Sequence, residues 1–247
     1  MKLARVWEVA RKDHFEVTRN RSLYFGLFFL PALIVLSALG QVYFVVQKAV
    51  ASGGAVVSTV QDGTFLSLLF LLLIPASSSV VIGSMAIVLE KANRSLEPLL
   101  ATPISDAELL WGKAVVPLTY GVGSSALAYA IVFAFGDALL AAHGQPPAFP
   151  GPVGAYFMGV IGSLLALIGT FASLWISIRA KDLRDAQQLS FLVALPSFGA
   201  VVAAFALLPV SIPTFAGVAA ALAVVTYGMI TRTIRRFDRP EILLKLG

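Results

Sequence analysis

The 247 residues carry a net charge of +5, are 58% hydrophobic and only 13% charged, and include no cysteine. At a mean hydropathy of +0.89 and about half the usual charged fraction of roughly 25%, a water-soluble globular fold is excluded, since too few charges remain to face solvent. Disulfide scaffolds, thiol redox chemistry and cysteine-based metal sites go with the missing cysteines.

In chain order, the first segment is a basic amphipathic stretch. Leu3, Val6, Trp7, Ala10, His14 and Val17 recur at helical spacing, with Lys2, Arg5, Glu8, Arg11, Lys12 and Arg19 on the rest of the wheel. Residues 1–21 are therefore expected as a helix lying on the cytoplasmic membrane surface with its Trp7 side among the headgroups. It would serve as an anchor or as a platform for a partner. The apolar run behind it is too long for a removable signal sequence, whose core has roughly 7–15 residues.

Six apolar runs follow, expected as membrane-spanning helices over about 23–47, 64–89, 114–136, 153–178, 186–208 and 213–232. Each suits the ~20 residues that a helix needs to cross the hydrocarbon. Their hydropathy is continuous and does not alternate with period two, which selects helices over a barrel. The last two are separated by a break at Pro209 to Pro213, expected as a plain hairpin. The expected fold is all-α: one membrane domain over 1–247, with six helices in 22–232 and a tail over 233–247.

The basic residues orient these spans. Seventeen of the 18 lie before span one, between two and three, between four and five, or after six, and Lys48 is the exception. Alternate connections thus hold almost all the positive charge, which predicts both termini in the cytoplasm. Spread over four separate membrane edges, the charge forms no nucleic-acid surface. The outer connections are short, which leaves no room for a large extracellular domain.

Several chemistries are disfavoured. His143 is the one ionisable residue within the apolar runs and it sits in a Pro/Gly-rich connection, so no side-chain relay for ion coupling is expected. Two histidines, His14 and His143, do not make a zinc protease. Gly112-Lys113 is followed by Ala114, and Ala107 stands where a phosphate-binding loop needs its first glycine, so this chain binds no nucleotide by that route. No catalytic, cofactor or metal residues are assigned. Glu90, Glu97, Asp106 and Glu108 share the connection between spans two and three, expected as a solvated loop of mixed charge.

That connection is the informative one. Ser95 can cap a short helix with Pro98 in its first turn, and Pro103 ends it. Ser105 and Glu108 have capping-box spacing for a helix leading through Leu109, Leu110 and Trp111 into span three. The short helix would present Leu96, Leu99 and Leu100, either to lipid or to a cytosolic partner. Small residues in span four, Gly159 with Ser163 and Gly169 with Ser173 and Ser177, have the spacing of close helix contacts. Ser77, Ser78 and Ser79 after Pro75, and Pro196 within span five, are expected to pack or kink helices.

The motif Glu90, Ser95-Leu96-Glu97, Leu99-Leu100, Thr102-Pro103-Ile104-Ser105 and Gly112-Lys113, within this topology, resembles the permease subunits of ABC type-2 exporters. Arg94 departs from the Gly common there. Arg179 to Gln188 is similar to the family's connection before span five, and the resemblance implies a short re-entrant turn as the alternative to a plain hairpin at Pro209 to Pro213. The resemblance implies a permease of the cell membrane that pairs with an identical or different permease and moves its substrate by means of cytosolic ATPase subunits. Two copies of the ATPase are implied, and they, not this chain, would hold ATP and Mg. It further implies a coupling surface formed by Glu90, Arg94, Leu96, Glu97, Leu99 and Leu100. An uncharged interior suits an amphipathic or lipid-like cargo better than a small ion. The competing reading is a non-transporting scaffold that anchors a cytosolic protein through the same loop; a lipid enzyme using the loop acids ranks third.

Overall fold

A computed structural model of the chain describes residues 3–19, 21–53, 56–93, 95, 104–149, 151–180, 182–208, 211–235 and 237. All regular structure among them is helical. In order, the elements are α1 (Leu3–Arg19), α2 (Arg21–Ser52), α3 (Val56–Gly63), α4 (Phe65–Leu71), α5 (Leu73–Ala92), α6 (Asp106–Ala142), α7 (Gly151–Tyr156), a π-helical turn (Phe157–Ile161), α8 (Gly162–Ser177), α9 (Leu183–Leu207) and α10 (Ile212–Arg235).

Six stretches are long and apolar enough to cross a membrane: Leu27–Ser52, Val56–Ala92, Asp106–Ala142, Gly151–Ser177, Leu183–Leu207 and Ile212–Arg235. Continuous helices are what apolar runs of this length must form, because hydrocarbon offers backbone groups no other partner. Turns end them where the backbone can go left-handed: Gly53 (φ 65°) closes α2 and Gly144 (φ 70°) follows α6.

The second and third spans are both longer than hydropathy alone indicated. Span two starts at Val56, not near 64, and runs to Ala92 in three pieces that meet at Thr64 and Leu72. The Thr64 hydroxyl donates to the Val60 carbonyl at 2.8 Å, a bond that loosens the helical ladder where α3 meets α4. Span three is one helix from Asp106 through Lys113 to Ala142, started by the capping box that the sequence predicts.

The second and fourth spans form the centre. In their most apolar windows 72% and 67% of residues are buried, against 22% in the first, fifth and sixth, whose outer faces are left bare. Close approach explains the difference. A Cβ on Gly83 of α5 would come within 2.0 Å of the Ser173 hydroxyl oxygen, and one on Gly169 of α8 within 2.9 Å of the Ala76 carbonyl. Gly169, Ser173 and Ser177 therefore form the packing face expected of them. A Cβ on Gly159 would meet nothing within 4 Å, so no other described helix packs there, and Ser163 donates within its own helix to the Gly159 carbonyl at 2.7 Å. Ser77, Ser78 and Ser79 are all buried, and Ser79 donates to the Pro117 carbonyl of α6 at 3.2 Å.

The four basic ends converge. Val9 of α1, Ile87 of α5, Leu109 and Leu110 of α6, and Phe237 after α10 form one buried cluster joined by Ile178 and Ile234. At the opposite end, the Asp137 carboxylate accepts from the Ala148 and Phe149 amides at 2.9 and 3.1 Å, and Gln61 donates to the Ala148 carbonyl at 3.0 Å.

Candidate functional site

The connection between spans two and three begins where α5 ends and finishes where α6 begins. Of the residues implicated in coupling, Arg94, Leu96, Glu97, Leu99 and Leu100 lie outside the described residues, and Glu90 lies within them. What the structure defines is the foundation on which that loop stands.

Glu90 is 2% exposed, with its carboxylate turned into the protein. Its Oε1 accepts from Lys12 of α1 at 2.7 Å and lies 3.0 Å from the Lys113 ammonium of α6. Lys113 is itself buried. It also donates to the Ala86 carbonyl at 2.7 Å and sits 3.4 Å from Asp13 of α1. One ammonium thus ties α1, α5 and α6 together at a single point. Glu90 Oε2 has no hydrogen-bond partner among the described residues. Lys12, Asp13, Glu16, Glu90 and Lys113 carry two positive and three negative formal charges, a sum that one proton would balance.

Asp13 is where that proton fits. Burial pushes its carboxyl from 3.8 up to about 6; Lys113 opposes the rise, while the Glu90 and Glu16 charges add to it. For Lys12, partial burial acts to lower its ammonium, but the bond to Glu90 and the surrounding acids outweigh this and raise it. Beside the cluster is a narrow cleft of about 20 Å³, enough for one water, lined by Asp13, Glu16, Met85, Leu89, Lys113 and Val116.

Gly112 explains how α1 comes so near. A Cβ there would meet Val9 Cβ at 2.7 Å and the Val6 carbonyl at 3.1 Å. The Gly-Lys pair ending the loop motif is thus a contact and a reach: Gly112 admits α1, and Lys113 binds it. Just upstream the capping box is complete, with the Glu108 amide donating to Ser105 Oγ at 3.3 Å and the Ser105 amide to Glu108 Oε2 at 3.1 Å. Arg5 of α1 stands 3.7 Å from that same oxygen. Glu108 and Glu90 are both buried, so the loop acids are not uniformly solvated as expected. They are held by cations of α1 and α6.

The other side of the loop's base is tied to span four. Lys91 donates to the carbonyls of Ser177, Ile178 and Ala180, the free acceptors at the end of α8. Ser177 returns the contact. Its hydroxyl donates to the Ser84 carbonyl at 2.8 Å and accepts from the Ile87 and Val88 amides at 3.2 and 3.1 Å, so a side chain of one span joins the backbone ladder of another. The two ends of the loop are thus fastened to α1, α5, α6 and α8.

Asp13 and Lys12 escaped the sequence reading. The signal was present: Val6, Val9, Ala10, Asp13 and Val17 form the buried stripe of α1, and an acid inside an apolar stripe calls for a buried partner. The stripe facing away carries Leu3, Trp7 and Phe15, all exposed. The expected single apolar face is thus two stripes, one of them spent on protein.

The profile of the ABC-2 family transporter proteins matches residues 7–211. The ABC transporter permease protein NatB of Bacillus subtilis (strain 168) is 35% identical over 133 residues, covering 49% of this chain and 33% of that protein. The match therefore spans about a third of the relative's length.

Proposed function

The chain belongs to the ABC-2 family of transporter proteins, and on that premise we propose that it is the transmembrane permease subunit of an ATP-driven exporter in the cell membrane. A separate cytosolic ATPase, in two copies, binds ATP and Mg and supplies the force. The converging ends with Val9 and Phe237 face the cytoplasm, and two permeases, identical or different, assemble around the substrate route.

Arg94, Leu96, Glu97, Leu99 and Leu100 form the surface that the ATPase grips. Glu90 serves that surface from inside, as the buried anchor of its base. The observation that carries the reading is the double brace: Glu90 is held by Lys12 and Lys113 while Lys91 holds the end of α8. A loop tied at its base to three spans and α1 transmits a push, whereas a slack loop would absorb it. Helix α1, with Leu3, Trp7 and Phe15 outward, rests on the lipid surface. The middle of each span carries no Asp, Glu, Lys, Arg or His, which favours an amphipathic or lipid-like cargo over a bare ion.

The test is co-expression with the cognate ATPase, followed by purification and ATP turnover. Leu96→Asp or Leu100→Asp should abolish co-purification or reduce substrate-stimulated turnover at least tenfold (on the order of 1.4 kcal/mol of lost coupling). Unchanged binding and turnover would remove the coupling role. Transport of a bare cation by the reconstituted complex, with no lipidic cargo moved, would reverse the cargo assignment.

A further inference from the structure

At the basic end of the molecule, away from the Glu90 cluster, two arginines from different spans converge on one tryptophan. Arg179, just past α8, places its guanidinium carbon 4.8 Å from the centre of the Trp175 ring, and Arg232, in the last turn of α10, places its own at 6.0 Å. The two helices are in direct contact, with the Thr233 hydroxyl donating to the Phe171 carbonyl at 3.5 Å. Both arginines are exposed, and neither is paired with a carboxylate among the described residues. Among the described residues Arg179 makes one hydrogen bond, to the Trp175 carbonyl at 3.4 Å, and a guanidinium has five donors.

We propose that Trp175, Arg179 and Arg232 form a binding site for the phosphodiester of an anionic phospholipid. Two like charges held against one ring repel until an anion lies between them. A guanidinium over an aromatic ring can still offer the paired donors that match phosphate oxygens. The level is that of a headgroup: Trp175 lies in the last turn of a span, where tryptophan marks the hydrocarbon boundary. The surface leading away is also right for a lipid. Val225 and Ala221 lie two and three turns before Arg232, hence on the same face of α10, and both are exposed. A headgroup held by the arginines would lay its acyl chains along this stripe.

The chain has three tryptophans, so Trp7→Phe with Trp111→Phe leaves Trp175 as the sole tryptophan, whose emission can be excited selectively over the tyrosines. In phosphatidylcholine vesicles, brominated phosphatidylglycerol should quench Trp175 at about one-tenth the mole fraction that brominated phosphatidylcholine needs. In R179Q/R232Q, both at exposed positions, the preference should fall below about twofold; in R179K/R232K, which keeps the charges, most of it should persist. Equal quenching by both lipids, or a preference that survives R179Q/R232Q, would overturn the proposal. So would abolition of the preference by inorganic phosphate in the buffer, which would assign the site to a soluble anion. Finally, if R179Q/R232Q loses the ATPase while its lipid preference stays intact, the arginines belong to a protein interface and the proposal fails.

Discussion

Lys113 decides what happens to three helices because of what surrounds it. It is 1% exposed, and its ammonium is answered by Glu90, Asp13 and the Ala86 carbonyl. Removing one partner from a buried ion pair costs more than the pair contributes, since the other charge is left in a poor solvent. Lys113→Met should therefore lower stability by about 3–5 kcal/mol, read as a lower unfolding midpoint in detergent. Lys113→Met with Glu90→Met should recover part of that loss, the non-additivity of a shared contact. Asp13 gives the cluster a pH dependence of definite sign. Its carboxyl titrates near 6 when docked, against 3.8 when free, so the docked state holds the proton more tightly. Docking of α1 is then strongest below pH 4 and weakens as pH rises through about 6, levelling off above. Amide exchange across residues 5–17 should be slower at pH 4.5 than at 7.5 after correction for intrinsic rates, and Asp13→Asn should erase the difference.

Helices here come very close at Gly83, Gly112, Gly121 and Gly169, and the effect of filling that space follows directly. Gly112→Val would drive Val9 and the Val6 carbonyl apart, costing about 1–3 kcal/mol as overpacking does and separating α1 from α6. Limited proteolysis should cut α1 faster in this variant while the six spans stay protected. Such contacts mark the boundary of what the amino-acid pattern discloses. Hydropathy reports whether a residue avoids water and is silent on whether lipid or protein replaces it. The six spans and the Ser105–Glu108 cap were legible for that reason, as was the Gly169–Ser173–Ser177 face. Hydropathy could not show that Asp106 to Lys113 continues span three, because charged residues read as loop until their partners are seen. Nor could it tell that Gly159 meets nothing while Gly83 and Gly121 meet serines of their neighbours. The residues proposed to contact an ATPase, Arg94, Leu96, Glu97, Leu99 and Leu100, were legible as a motif, and the structure describes their foundation.

Across the whole molecule the arrangement is asymmetric. One end gathers α1, the ends of α5, α8 and α10 and the start of α6 around a buried apolar cluster with ion pairs beside it. The opposite end has a hydrogen-bonded connection of backbone amides to Asp137. A force delivered at the first end has rigid elements to act on, which is what coupling to a cytosolic ATPase requires. Ser177→Ala tests the rigidity apart from the contact: it removes the hydroxyl that joins α8 to the α5 ladder and leaves the proposed ATPase surface unchanged. Co-purification should persist and transport per ATP hydrolysed should fall severalfold, measured in proteoliposomes. The claim beneath all of this is that the connection between spans two and three lies in the cytosol. The chain has no cysteine, so Arg94→Cys introduces a single reporter for a membrane-impermeant maleimide. Labelling in inside-out vesicles and none in intact cells is the predicted result; labelling of intact cells would contradict the orientation and the coupling role together.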